Sequence, residues 1–389
     1  TRADNYYGGL EGNDIEASTG NYGLTKEHIW AFGGQHTAYV PIAKGNLQWT
    51  SGLEYQYDKI SEKRVNPLIL AVNQKANIFG AFTQADWRIS PKVKVLGGLR
   101  LDNVTSDILK NSITVLNPRA SVLYNIDENF IARASYGRGF RAPFFYSEDV
   151  HSELPSGEVR RVKLSDDLKK ETSDSFTASF EYNHTHEAHQ FVAMIEGFYT
   201  ALHDRFDYRD IGEENGLKVK EKFNTDGAIV KGLNIELKYS PNKQFIFQLA
   251  TTIQSAKYNS TQNPEDNIFT DELLKTPNVY GNLLATYKPR PNWDINLVTV
   301  YTGSMKVAHL AGYIAENRLE TTKGLIDIGL NTSYQINASN FFPLEVSCGV
   351  KNLFNQYQND FDKGAKRDAD YIYGPALPRT VFVGLKVKM

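Results

Sequence analysis

Arg379-Thr-Val-Phe-Val-Gly-Leu-Lys-Val-Lys-Met389 closes the chain. An earlier run of the same kind, Val346-Ser-Cys-Gly-Val-Lys-Asn-Leu-Phe354, stands before it across a polar segment rich in Asp and Tyr. In the final run Val381, Val383, Leu385, Val387 and Met389 share one face, while Thr380, Gly384, Lys386 and Lys388 share the other with Phe382. A strict period of two predicts a β-strand with one apolar face. Such a strand needs neighbours along its hydrogen-bonding edges, and the rest of the sequence supplies them.

Alternating runs lie near 24–40, 45–58, 75–90, 92–106, 115–126, 128–140, 171–183, 188–204, 218–239, 244–258, 277–288, 292–304, 323–336, 343–354 and 379–389. In one of the clearest, Phe176, Ala178, Phe180 and Tyr182 point one way, and Ser175, Thr177, Ser179, Glu181 and Asn183 the other. Residues 1–23 carry no period and predict a long extracellular loop, followed by strands over 24–389. The connections alternate. Short ones fall at 41–45, 90–92, 127–129, 240–243 and 288–292, and mostly long polar ones near 59–74, 141–170, 205–217, 259–276, 305–322 and 355–378. Short turns on one side and long loops on the other are the pattern of an outer-membrane barrel with its long loops extracellular.

Composition agrees. Aromatics make up 12% of the 389 residues, with Tyr 22 and Phe 21, and the mean hydropathy is -0.43. No stretch approaches the roughly 18 apolar residues of a transmembrane helix, but a barrel strand needs only about 10 alternating ones. A net charge of -2 lacks the basic footprint of a nucleic-acid binder. The single cysteine, Cys348, forms no disulfide within the chain and falls on the apolar face of its strand.

The polar face separates a membrane barrel from a soluble sandwich. It carries Glu54, Asp86, Arg88, Lys94, Arg100, Asp102, Arg119 and Arg133 within strand interiors, which suits a wet lumen. Runs longer than 12 residues exceed the usual 5 or 6 of globular sheets. Tyr57, Trp87, Tyr136, Tyr239, Trp293 and Tyr301 sit near strand ends, as an interfacial girdle requires. The reading is all-β, a transmembrane antiparallel barrel with about 15 strands visible. The first and last of these run the same way, so further strands are expected to precede Thr1 or to come from another chain.

Several stretches carry a resemblance. They are Gly97-Gly-Leu-Arg-Leu-Asp102, Asn117-Pro-Arg-Ala-Ser-Val-Leu-Tyr124, Ala134-Ser-Tyr-Gly-Arg-Gly-Phe-Arg-Ala-Pro143, Asp167-Leu-Lys-Lys-Glu-Thr-Ser173, Phe198-Tyr-Thr200 and Val230-Lys-Gly-Leu-Asn-Ile-Glu236. Tyr301-Thr-Gly303, Lys351-Asn-Leu-Phe354, Tyr373-Gly-Pro375 and Pro378-Arg-Thr380 complete the series. In this order they resemble the barrel of a TonB-dependent outer-membrane receptor, most like those of the Bacteroidetes group. The resemblance implies about 22 strands around a plugged lumen, of which this chain would hold the last 15 or so. The plug domain, the TonB-contacting segment and the first strands would be absent. Two positions depart from the family: the chain ends on Met389 instead of an aromatic residue, and Ser165-Asp166 stands where Asn-Pro is usual.

The resemblance implies an active importer of a scarce, bulky nutrient, such as a ferric siderophore, haem or cobalamin. It implies no enzyme activity and no intrinsic cofactor. Its partners would be outer-membrane lipid, its own plug and first strands and TonB through that plug, with a surface lipoprotein as a further candidate. The candidate ligand contacts are Phe144, Phe145, Tyr146, His151, Arg160, His309 and Tyr313. His151 stands among aromatics as a possible haem axial ligand, with an exposed loop histidine as the plainer alternative. Arg88, Arg100, Asp102, Arg119 and Arg133 are the candidate plug-facing lumen residues. His184, His186 and His189 have ligand-like spacing but fall at a short turn without a completing group. Asp360, Asp362, Asp368 and Asp370 offer oxygens of the kind calcium takes, but Ala365 breaks the loop pattern, and the interleaved Lys363, Lys366 and Arg367 favour salt bridges instead. The other readings are a passive diffusion porin, a barrel lipase or protease, and a soluble binding sandwich.

Overall fold

The computed structural model describes residues 2–6, 23–64, 72–145, 160–265, 268–336, 344–364, 367–368, 370–375 and 377–387. Every regular element among them is a strand. In chain order these are β1 Arg2–Tyr6, β2 Gly23–Pro41, β3 Asn46–Arg64, β4 Asn73–Arg88, β5 Val93–Ser106, β6 Ile113–Asn125, β7 Phe130–Arg141, β8 Arg160–Leu164, β9 Glu171–His186, β10 His189–His203 and β11 Arg205–Glu214. They continue with β12 Leu217–Thr225, β13 Ala228–Asn242, β14 Phe245–Glu265, β15 Ile268–Glu272, β16 Val279–Arg290, β17 Trp293–Thr302, β18 Lys306–His309, β19 Arg318–Thr321, β20 Leu325–Ile336, β21 Leu344–Lys351 and β22 Thr380–Val387.

The long strands form one antiparallel ladder. It runs from β2 through β3, β4, β5, β6, β7, β9, β10, β13, β14, β16, β17, β20 and β21 to β22. These are the expected spanning strands, and each is joined to its successor in the series by adjacency alone. Pairing is unbroken over long spans, as from Gly23↔Arg64 to Pro41↔Asn46.

The pleat sorts the chemistry. On β22, Val381, Val383, Leu385 and Val387 stand on one exposed face, Val383 at 79%. Phe176 and Phe180 on β9, Leu99 and Leu101 on β5, and Trp30 and Phe32 on β2 are likewise exposed. The opposite face carries the Arg100–Glu54 and Arg133–Glu181 ion pairs and buried polar groups such as Asp102 and Ser179. Apolar outside and polar inside is the inverse of a soluble sheet and suits a lipid-facing wall. Aromatic neighbours mark the rims of the apolar band. Phe130 packs on Tyr182 at 4.7 Å and Phe245 on Tyr287 at 4.7 Å at the short-turn end, and Tyr136 packs on Phe176 at 4.8 Å toward the other.

The short turns are closed by side-chain acceptors. Asp127 Oδ1 accepts from the Asn129 and Phe130 amides, Asn242 Oδ1 from those of Gln244 and Phe245, and Ser90 Oγ from those of Lys92 and Val93. Small polar residues mimic a backbone turn in this way. Gly45 has φ +78, and a Cβ there would lie 1.8 Å from the Arg88 carbonyl oxygen, so only glycine fits.

The long-loop end holds more structure than its sequence suggests. Residues 205–217 and part of 141–170, expected as loops, contribute strands. β11 pairs antiparallel with β12, and β8 runs parallel to β12, making a separate three-stranded sheet. The 305–322 loop contains the β18–β19 hairpin, and β15 folds back on the far end of β14. Within the predicted loop 1–23, Arg2–Tyr6 pairs with the start of β2. The single strand predicted over 218–239 is two, breaking at Asp226-Gly227. A Cβ on Gly227 would sit 1.8 Å from the Leu202 carbonyl oxygen, so the chain bends there against β10.

Leu99→Arg places a charge on the lipid face and should cost about 2–4 kcal/mol if Leu99 lies near mid-bilayer, whereas Ser135→Arg on the lumen face should cost much less. Urea unfolding of the full-length receptor in vesicles distinguishes the two. Equal costs would contradict the assignment of faces.

Candidate functional site

The lumen face of β3–β6 carries a compact ionic network. The Arg100 Nη1 donates to Glu54 Oε2 at 2.6 Å, and its Nε reaches both Asp102 oxygens at 2.9 and 3.0 Å. Asn117 Nδ2 adds a further hydrogen bond to Asp102 at 3.1 Å. Asp102 is only 2% exposed, so these donors replace the water it has lost. Arg100 spans two strands because β4 offers it a gap: a Cβ on Gly80 would lie 2.4 Å from Arg100 Nη2. Neighbouring strands repeat the theme with Lys94–Asp86 at 2.8 Å and Arg133–Glu181 at 2.7 Å. Hydrogen-bonded chains continue it, through Glu196, Asn234 and Thr252, and then through Thr286, Asn296 and Asn331.

The expected lumen residues thus divide. Arg100, Asp102 and Arg133 are committed to partners on the wall. Arg88 and Arg119 lie on the same face, without an ion-pair partner among the described residues, and are free to meet something inside the lumen.

Above the lumen, the loops pack on an apolar cluster of Ala76, Val104, Ala142 and Phe144, with Phe140, Ile108, Leu109 and Ile113 around it. Phe144, expected at the ligand face, is therefore part of this packing. The Phe145 amide donates to Gln74 Oε1 at 2.9 Å, which fixes the loop start to β4. The three-stranded sheet is tied down by Lys222, whose Nζ donates to the Phe144 carbonyl at 3.2 Å and lies 5.2 Å from the Phe206 ring. Arg161 and Lys163 both pair with Glu214, and the Lys163 ammonium, first among the causes, lowers the Glu214 carboxyl below its usual range. Arg160 lies in β8 opposite Lys218. Tyr146 and His151 lie outside the described residues.

A second cluster joins the 305–322 and 355–378 loops. His309, 3% exposed, is stacked on Tyr371 with ring centroids 3.7 Å apart. Its Nε2 meets both Asp362 oxygens at 3.0 and 3.1 Å, and Nδ1 lies 3.7 Å from Glu320 Oε1. The Tyr371 and Tyr373 hydroxyls donate to Asp360. Asp368 accepts from the Leu310 amide at 2.8 Å and from the Asp370 amide at 2.9 Å. His309, expected to touch ligand, is instead a structural bridge, whereas Tyr313 stays exposed. Of the acidic residues weighed as calcium ligands, Asp360, Asp362 and Asp368 serve here as acceptors for donors of the two loops. Of the three turn histidines, His184 stacks beside Tyr182 and His189 meets Tyr239 edge-on. Among the described residues no three His, Cys, Asp or Glu side chains converge as a metal site.

Two features escaped sequence reasoning. The Arg100–Glu54 contact depends on register between strands that no linear pattern displays. The Tyr371–Asp360–Tyr373 unit was visible only as a Tyr- and Asp-rich run.

Burial first, then the Asp360 charge, pushes the Tyr371 phenol up to about 12. Tyr373 is raised by burial and by its hydrogen bond to Asp360. A phenol raised above its ordinary value of about 10 favours the folded state while neutral. The contribution is complete below pH 10 and fades as pH climbs through about 12. In tyrosinate absorbance, the wild-type minus Tyr371→Phe difference should titrate near that value, and Asp360→Asn should bring the midpoint down. A difference curve centred at the ordinary phenol value would contradict the buried cluster.

The family model described as "TonB dependent receptor-like, beta-barrel" matches residues 1–353. No curated protein compared with the chain gives a significant match. Among solved structures, the siderophore receptor PirA from Acinetobacter baumannii superposes with a TM-score of 0.70 at 16% identity, over 94% of this chain and 55% of that one. The ferric-catecholate import receptor Fiu from K12 E. coli gives 0.67 at 15%, over 98% and 59%, and the copper transporter OprC 0.66 at 14%, over 94% and 57%. At such identities the likeness shows the fold, and the ladder described above is wall of the same architecture. The chain spans between 55% and 59% of the length of these relatives.

Proposed function

The chain belongs to the TonB-dependent receptor β-barrel family of the bacterial outer membrane, and from that membership we propose that it is the wall and outer-loop part of an active importer. Its cargo would be a scarce, bulky nutrient, with a ferric siderophore, haem or cobalamin as the candidate classes. The observation that carries the reading is the lumen face. A wall meant only for passive diffusion has no need of a carboxylate as buried as Asp102, held by Arg100 and Asn117. A wall that must grip and release a folded plug benefits from a rigid polar surface with spare cations, and Arg88 and Arg119 supply them. The outer loops, built on the Lys222-anchored sheet and the His309–Tyr371 cluster, would cradle the cargo. Tyr313 is an exposed candidate contact. The neighbours described as siderophore and ferric-catecholate receptors support an iron chelate as the first cargo to try.

The test is uptake of labelled ferric siderophore, haem or cobalamin by cells expressing the full-length receptor, with and without TonB or an uncoupler. Saturable uptake abolished by either treatment is expected. Passage indifferent to both would overturn the importer in favour of a porin.

Arg119→Glu should leave cargo binding intact but lower uptake several-fold, by disturbing plug contact; unchanged uptake would remove Arg119 from the plug-facing set. Arg100→Ala strands the buried Asp102 and should cost about 3–5 kcal/mol, read by urea unfolding of the receptor in vesicles.

A further inference from the structure

The 355–378 loop brings two phenols onto one carboxylate. Tyr373 Oη donates to both Asp360 oxygens, at 2.7 and 2.8 Å, and Tyr371 Oη donates to Asp360 Oδ2 at 3.2 Å. The two rings meet edge to face with centroids 5.6 Å apart. One side chain sets both tyrosines. Buried Gln358 donates from Nε2 to the Tyr371 carbonyl and accepts on Oε1 from the Tyr373 amide, each at 2.9 Å. His309 closes the back by stacking on Tyr371. The front is open, because Asp360 is exposed and Tyr373 only half-buried. Three oxygen donors are therefore held in place before anything binds.

Charge and spacing say what fits them. Asp360 has no ion-pair partner among the described residues. Glu320 is a second carboxylate within electrostatic range of both phenols, with Arg318 as its paired guanidinium. A separate observation marks the same corner. The Nδ1 of buried His309 has no hydrogen-bond partner among the described residues and faces Glu320 Oε1 across 3.7 Å. For an ion bound octahedrally at about 2.0–2.1 Å, neighbouring ligand oxygens stand about 2.9 Å apart. The phenol and carboxylate oxygens already have that spacing. Calcium, bound at about 2.3–2.6 Å, needs a wider set. A phenol becomes an anionic ligand only for an ion acidic enough to displace its proton, which selects a small trivalent cation over magnesium.

We propose that Asp360, Tyr371 and Tyr373 form a site for a bare ferric ion, with Glu320 beside it. On binding, two phenol O–H bonds give way to two Fe–O bonds, the protons pass to water, and the Asp360 carboxylate supplies a third bond. Three monoanionic ligands then cancel three positive charges, and no electron moves. Only one of these donors is a carboxylate, so the absence of a convergent His, Cys, Asp and Glu triple among the described residues leaves the site standing. All three residues lie beyond 1–353, the stretch that the family model matches. The site rests on these side chains alone and stands whether or not the importer reading does.

The test titrates the metal-free, full-length receptor in detergent with ferric nitrilotriacetate carrying labelled chelator, followed by desalting. Wild type should keep a single equivalent of iron, lose the chelator and show a visible phenolate-to-iron charge-transfer band. Tyr373→Phe should weaken the band and lower iron affinity by about 10-fold or more, and the Tyr371→Phe, Tyr373→Phe double variant should abolish the band. Should the double variant not assemble, Asp360→Asn keeps both rings and an acceptor for them, and should likewise cost about 10-fold or more. An undiminished band and iron content in these variants would overturn the proposal. So would displacement of iron by equimolar calcium, or retention of iron together with its chelator, which would mean that the loops hold a chelate. The assay uses neither cells nor TonB, so failed uptake by a receptor that shows the band would count against the importer alone.

Discussion

A bilayer interior offers no hydrogen bonds, so every amide and carbonyl of a chain crossing it must find its partner in the adjacent strand. That constraint explains the long, unshifted registers of this wall. It also makes register costly to alter, because a slip of one residue would exchange the greasy and wet faces of a whole strand. Irregularities therefore gather outside the band. Register shifts occur between Tyr239 and Asn242, between Tyr287 and Arg290 at the turns, and beyond Lys257 at the outer end of β14.

Once the backbone is satisfied by the ladder, the side chains are left to define two different solvents. The outer set meets lipid with Phe, Leu, Val and rim aromatics. The inner set builds a lining in which charges are mutually compensated, as with Arg100, Glu54 and Asp102. Glycine makes the closest approaches possible: Gly80 leaves room for a guanidinium, and Gly227 lets β13 leave the β10 carbonyl row. Burial of Asp102 is tolerated because its donors are fixed by strands, not by flexible loops.

The spanning part of the fold was legible because period-two alternation is a direct consequence of the pleat. Phe176, Ala178 and Phe180 against Thr177 and Ser179 could hardly be read otherwise. The loop region was not, for two physical reasons. A local sheet such as β8 with β11 and β12 is built from short strands whose pairing is non-local, Arg161 with Val219 for example. Alternation also cannot reveal a hinge, so β12 and β13 read as one strand across Gly227. Site residues fared similarly. Arg100, Asp102 and Arg133 were visible as charges at inward positions, but His309 looked like a free loop histidine until Asp362 and Tyr371 were seen around it.

That bridge has a mechanical meaning. His309 and its partners lie far apart along the chain, on two excursions that leave the wall at different strands, yet stacking and two short contacts unite them. Neither excursion can swing outward without tearing the other from its seat. Motion at this side of the mouth is therefore concerted, like a hinged pair of shutters sharing one bolt, and a molecule that touched only one leaf would still be felt by both.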